Sequence, residues 1–249
     1  MRILGWDKEE TEQASDRTAA QLGSPAARAD VVPPGKRGAM TAAATRLVER
    51  LLDVGIDGKG PFHSASVVAA EALSEAGGSV EKAIDIVRRD HRRLGALGGF
   101  ATGLGGFFTM PISLPANVVE FYILGTRMTA AIAKLRGYDI DQPEIRSAIL
   151  VTLTGAESDA ILKKAGLAAP GGRIAALAVD RLPPPALMVV NKAVGFRLLG
   201  KLGDGVFARL GRGVPFLGGV VGGGMDVYLL GKIAKQAEQE FPPVSPFAA

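Results

Sequence analysis

The sequence contains no cysteine. That removes disulfides, thiolate metal sites and thiol nucleophiles together, and it is expected of a chain kept in a reducing compartment. Histidine is nearly absent too: His63 and His91 stand in different segments, which excludes a histidine-rich metal site. No Gly-x-Ser-x-Gly or His-Glu-x-x-His pattern occurs. Aromatic residues make up 6%, with Trp6 the sole tryptophan, so nothing offers a stacking platform for nucleic-acid bases. The start, "MRILGWDKEETEQ", lacks the apolar centre of a secretory signal, and a cytoplasmic location is expected. Asp139 and Asp141 in "YDIDQPE" read as ordinary turn and N-cap acids. No cofactor or metal is expected, and the chain reads as a non-enzymatic protein.

Glycine and apolar residues are what the sequence has in quantity. There are 33 glycines in 249 residues, the hydrophobic fraction is 47%, and the mean hydropathy of +0.22 leans towards lipid. The net charge is +4, and it is unevenly spread. Residues 1–36 hold five basic and six acidic side chains, so the remainder carries an excess of about +5, in clusters beside glycine-rich apolar runs.

Periodicity is helical almost throughout, and no convincing alternating strand pattern appears. Residues 1–38 lack apolar periodicity and read as a flexible polar tail and linker, 39–241 as one helical domain, and 242–249 as an extended tail. Leu47, Leu51, Leu52, Val54 and Ile56 mark one helix, closed by Gly55 and Gly58; Val67, Val68, Ala72 and Leu73 mark a second, ending at Gly77 and Gly78. Ser79 opens a third. Pro115 fits the first position of a helix running to Gly137, Asp141 with Pro143 starts another, Ser158 a short one, and Pro215 the last long one. The expectation is an all-α bundle of nine to eleven helices.

The run from Leu94 to Val119 holds twenty-six residues without a charge. A phosphate loop does not fit "GGFATGLGG", because no strand precedes it and no Gly-Lys-Ser/Thr follows. The spacing fits helix packing: Gly95, Gly99 and Gly103 lie four apart, as do Gly218 with Gly222 and Gly219 with Gly223, so each set gives a helix a face that another backbone can approach. Leu94 to Met110 spans seventeen residues, about 25 Å as a helix, short of the roughly 30 Å of a hydrocarbon core, and Pro111 and Pro115 are expected to break it. The second run, Val214 to Gly231, carries Asp226. Both lengths suit re-entrant or interfacial insertion. Arg88, Arg89, Arg92, Arg93, Arg209 and Arg212 are candidate contacts for anionic headgroups, the plainer reading being solvated helix ends. After Pro115, the residues Asn117, Glu120, Arg127 and Lys134 form a narrow polar seam whose members are expected to bond neighbouring helices.

The segment "GGFFTMPISLPANVVEFYILGTRMTAAIAKLRGYDIDQPEIRSAIL", followed by "LMVVNKAVGFRLLGKLG" and "RGVPFLGGVVGGGMDVYLL", resembles the bacterial EcsC family over about residues 40–241. The resemblance implies a membrane-associated helical protein without established catalytic residues. Gly105, Gly106, Pro111, Pro115, Asn117, Arg127, Gly137, Tyr138 and Asp139 are the matching positions, and they read as fold-defining.

Two readings of function stand from different classes. In the first, the protein lies on or partly in the inner face of the cell membrane, with lipid as its partner. In the second, it is a soluble helical scaffold that recognises a protein or an apolar ligand through the same glycine faces. An enzyme acting on lipid is a third, which needs Glu120, Arg127 or the Asp139 and Asp141 pair gathered in a pocket. Nucleic acid is not an expected partner, and the oligomeric state stays open.

Overall fold

The computed structural model describes residues 34–60, 62–104, 106–155, 158–164, 184–210 and 215–244, with the side chains of 34–37, 100–117, 159, 163–164 and 201–222 outside that description. Expectations that fall on residues 1–33, on the "APGGR" break and on Arg212 lie outside it. Contacts divide the chain into residues 1–41 and 42–249, and the packing below is that of the second unit.

The fold is all-α. Eight α-helices and one π-helical turn occur among the described residues: α1 (Pro34–Arg50), the π-turn (Leu51–Ile56), α2 (Ala65–Glu75), α3 (Val80–Leu104), α4 (Gly106–Leu135), α5 (Pro143–Thr152), α6 (Ser158–Lys164), α7 (Pro184–Leu210) and α8 (Pro215–Glu240). Local chemistry accounts for most of the boundaries. Ser64 caps α2, its hydroxyl accepting from the Val67 N–H at 3.3 Å. Gly77 and Gly78 end that helix with φ of +62° and +84°, a region that side chains with a Cβ avoid. Proline stands at the start of α5, α7 and α8, where its missing N–H costs nothing.

Two boundaries differ from the sequence expectation. Pro111 and Pro115 do not break the chain; α4 begins at Gly106 and carries both through its first three turns. Each proline withholds one backbone donor, a loss that the helix tolerates near its start better than at its centre. Gly55 does not close a helix either. It is buried in the π-turn, where an added methyl would stand 2.8 Å from Thr126 Cβ, so the glycine lets that turn lie against α4.

Helix α4 is the central element. Every residue from Tyr122 to Ala133 is buried, the signature of a helix enclosed on all sides. One core lies on its flank towards the π-turn, α5 and α7, with Leu51, Ile56, Ile149, Leu150, Val194 and Leu198 fully buried. The other lies towards α2, α3 and α8, around Ile84, Val87, Met128, Ile132 and Leu230. Phe121 and Ile233 border both. The Arg146 guanidinium, in α5, donates to both Asp57 oxygens at 2.8 and 2.7 Å, fastening the end of the π-turn. Beyond α8 the Val244 N–H bonds the Arg136 carbonyl at 2.9 Å, and Tyr138 stacks edge-on against Phe241 at 5.2 Å.

Candidate functional site

Helices α3 and α8 make the most extensive helix contact of the described fold, and they run antiparallel. Arg88 of α3 bonds Glu238 of α8 at 3.3 Å, Arg92 lies over Gly231, Gly95 faces Leu230 and Asp226, and Ala96 faces Gly223. Glycine makes the approach possible. A methyl on Gly223 would stand 2.8 Å from the Ala96 carbonyl oxygen, and one on Gly95 would collide with Leu230 Cδ1. The predicted packing role therefore holds at Gly95, on the α3 side. On the α8 side it is Gly223, of the Gly219 and Gly223 pair, that meets the partner backbone. Gly99 is buried as well, while the surroundings of Gly103, Gly218 and Gly222 lie outside the described residues.

That register divides the helix pair into two halves. Towards residues 80–93 of α3 and 231–240 of α8 the surface is charged. Towards 94–104 and 215–225 neither helix bears any charge, and the adjoining arm of α4, residues 106–119, bears none. The antiparallel order brings the end of α3, the start of α4 and the start of α8 to one pole. The apolar side chains are not all withdrawn: Leu97 is 66% exposed in this part, with Leu94 and Met225, and just beyond it, past the buried Asp226, Tyr228 is 58% exposed, with Leu229. At the border stand Arg92, Arg93, Lys232 and, one turn further along α8, Lys235; the Lys232 ammonium lies 5.4 Å from the Tyr228 ring.

The arginines before Leu94 differ among themselves. Arg88 binds Asp85 and Glu238, and Arg89 binds Asp90 at 3.0 Å and Glu75 at 3.4 Å, so both are held by acids of the protein. Arg93 is mostly exposed and reaches Asp90 only at 3.8 Å. Arg92 is half-buried with its Nε unpartnered. The side chain of Arg209 in α7 lies outside the described residues.

The polar seam separates on folding. Glu120 is exposed, its carboxylate so close over Gly98 of α3 that a methyl there would touch Oε1 at 3.3 Å. Arg127 is buried at 4% exposure, its guanidinium 4.5 Å from the Phe62 ring. The side chain of Asn117 is not among those described. Asp139 and Asp141 form no acid pair: the Asp139 carboxylate accepts the Asp141 N–H at 3.1 Å, and both residues are exposed. No cluster of metal-binding side chains occurs among the described residues.

Sequence reading passed over His91. It is buried on α3, with Nδ1 2.8 Å from the Val87 carbonyl oxygen. In the neutral ring Nδ1 therefore carries the hydrogen and Nε2 is a bare acceptor, without a partner. Burial pushes its pKa down to about 4, and the Arg127 charge presses in the same direction, against the pull of Val87 and Asp90. Burial lowers Arg127 as well. In the unfolded chain His91 takes a proton near pH 6.5, whereas the folded ring refuses it until about pH 4. Between those values the unfolded state binds more protons, so stability falls as pH falls, by about 3 kcal/mol in all. Urea denaturation at pH 7, 5.5 and 4 should show this loss in the parent and much less of it in His91→Gln; equal slopes would refute it.

Comparison with family models, with curated proteins and with solved structures gave no match. No described helix is long and apolar enough to cross a membrane.

Proposed function

We propose that this is a non-enzymatic, membrane-associated protein that sinks the pole formed by α3, α4 and α8 into one leaflet at the cytoplasmic face. The observation that carries the reading is the convergence of three charge-free helical arms on one end, with Leu97 left exposed there and Tyr228 just beyond it. Residues 94–104 of α3 span about 16 Å, half of a hydrocarbon core of roughly 30 Å, a depth suited to entering one leaflet without crossing. Arg92, Arg93, Lys232 and Lys235 stand near the level where anionic headgroups would lie. Membership of the bacterial EcsC family belongs to the same proposal, supported by the order of the "GGFFTMP", "GYDIDQPE" and "VPFLGGVVGGGMD" segments.

A second reading, a soluble scaffold whose pole docks a protein, is favoured by one observation. Arg88 and Arg89 are already occupied by the protein's own acids, which leaves fewer cations for lipid. Flotation with vesicles of phosphatidylcholine and phosphatidylglycerol separates the two. The membrane reading expects the protein to float, to be released partly by 0.5 M salt and more completely when phosphatidylglycerol is left out. Recovery wholly in the lipid-free fraction at low salt would sink that reading and leave the scaffold.

A further inference from the structure

Arg127 is the one charged side chain between Glu120 and Lys134, in a stretch of α4 enclosed on every side. No ion pair reaches it among the described residues, and two of its nitrogens, Nε and Nη2, are buried without a hydrogen-bond partner. These two atoms have a particular relation. Their N–H bonds point the same way along one edge of the guanidinium, the edge that grips two oxygens of an oxyanion side by side. The flat face is occupied by Phe62, so the ring is steadied by its face while this buried edge has no hydrogen-bond partner.

A cation buried without a counter-charge is strongly destabilising, and an apolar residue of similar size would serve the core better. His91 adds a second unpartnered atom of opposite character, the acceptor Nε2: Glu120 of α4 lies over Gly98 of α3, and two turns further along each helix Arg127 and His91 come level on the same faces. We infer that Arg127 and His91 together hold a phosphate group, the guanidinium edge donating to two phosphate oxygens and the imidazole Nε2 accepting from the phosphate hydroxyl.

The pairing of one double donor with one acceptor is what selects phosphate. A carboxylate is acceptor-only at neutral pH and would leave Nε2 bare, whereas a phosphate monoester, with its second ionisation near pH 6, keeps part of its population as the singly protonated form. The same chemistry is available from free phosphate, from a soluble monoester, or from a lipid with a monoester headgroup. Phe62, which covers the guanidinium face, follows Gly58, whose φ of +75° and close approach to the Ser64 backbone nitrogen bring the two together.

The inference does not depend on insertion of the apolar pole. Titration of the full chain with sodium phosphate at constant ionic strength, followed through the His91 ring resonances by NMR, tests it, with sodium acetate and vesicles containing phosphatidic acid as parallel arms. The expected result is a saturable shift with phosphate, little with acetate, and binding about 10- to 100-fold weaker in Arg127→Met, the loss of two charge-assisted hydrogen bonds. Arg127→Lys, which keeps the charge without the paired edge, should be weakened as well, and it serves if the Met variant does not fold. A response to phosphatidic acid vesicles alone, lost in the same variants, supports the site and identifies its source as lipid. Equal shifts with acetate and phosphate, or no shift in any arm, would overturn the inference.

Discussion

Glutamate in place of both Leu97 and Tyr228 is expected to abolish vesicle binding while leaving the fold intact. The two are the most exposed of the described apolar side chains of α3 and α8, in and just beyond the charge-free pole, so neither substitution opens a hole in the core. In the membrane reading each change removes roughly 1.5–3 kcal/mol of apolar burial and adds the cost of bringing a carboxylate towards lipid. Together they should weaken the vesicle partition coefficient by more than about a thousandfold, a free-energy loss above roughly 4 kcal/mol. Circular dichroism and thermal melting of the free protein should change little, since surface substitutions away from buried features usually cost within about 0.5 kcal/mol. Undiminished flotation of a folded double variant would refute insertion of this pole. Glutamate at Met188, exposed on α7, is a control, because it alters apolar surface without touching α3 or α8.

Gly223→Leu is expected to cost about 2–3 kcal/mol in stability, a large fraction of what holds a typical domain folded. A methyl at this position already meets the Ala96 carbonyl oxygen at 2.8 Å, and what it meets is backbone, which cannot rotate aside. Helix propensity works the other way, since leucine is better than glycine in a helix by almost 1 kcal/mol, so the net loss measures how closely α3 and α8 must approach. Gly224 supplies the comparison. It is the next residue of the same helix and has nothing within 4 Å of an added methyl, so Gly224→Ala should stabilise by a few tenths of a kcal/mol to 1 kcal/mol. Chemical denaturation of the two variants side by side reads the contrast. Equal stability would mean that the α3 and α8 contact is loose at Ala96.

Much of this architecture was legible in the sequence, for local reasons. Gly77 with Gly78, Pro143 and Pro215 act on the backbone within a turn of where they stand, and the helices begin or end beside them. The paired prolines misled because a proline's cost depends on what surrounds it. Pro111 and Pro115 sit inside α4, and nothing in their immediate neighbours says so. The glycine spacing identified Gly95 as a contact but left its partner open, since register between α3 and α8 is decided by residues more than a hundred positions apart.

The Arg127 and His91 arrangement was the least legible part. The two lie on different helices, α3 and α4, and only the way those helices pack brings them level. One signal was available all the same. Arg127 stands alone in "FYILGTRMTAAIA", thirteen residues with no other charge, and a helix with so narrow a polar stripe has no wet face on which to place it. Its pairing with Phe62 and its distance from any acid could not be read, because both depend on how the loop after the π-turn folds back.

The close contact of α3 with α8 also bears on how the chain is made. On a ribosome α3 emerges more than a hundred residues before α8, an interval on the order of ten seconds at 5–20 residues per second. Throughout that time the groove around Gly95 has no partner helix, and Leu94 and Leu97 stand beside it on the same uncovered turn. A chain that holds its least polar segment open until its closing helix arrives gives a chaperone, or the membrane itself, the first opportunity to bind it.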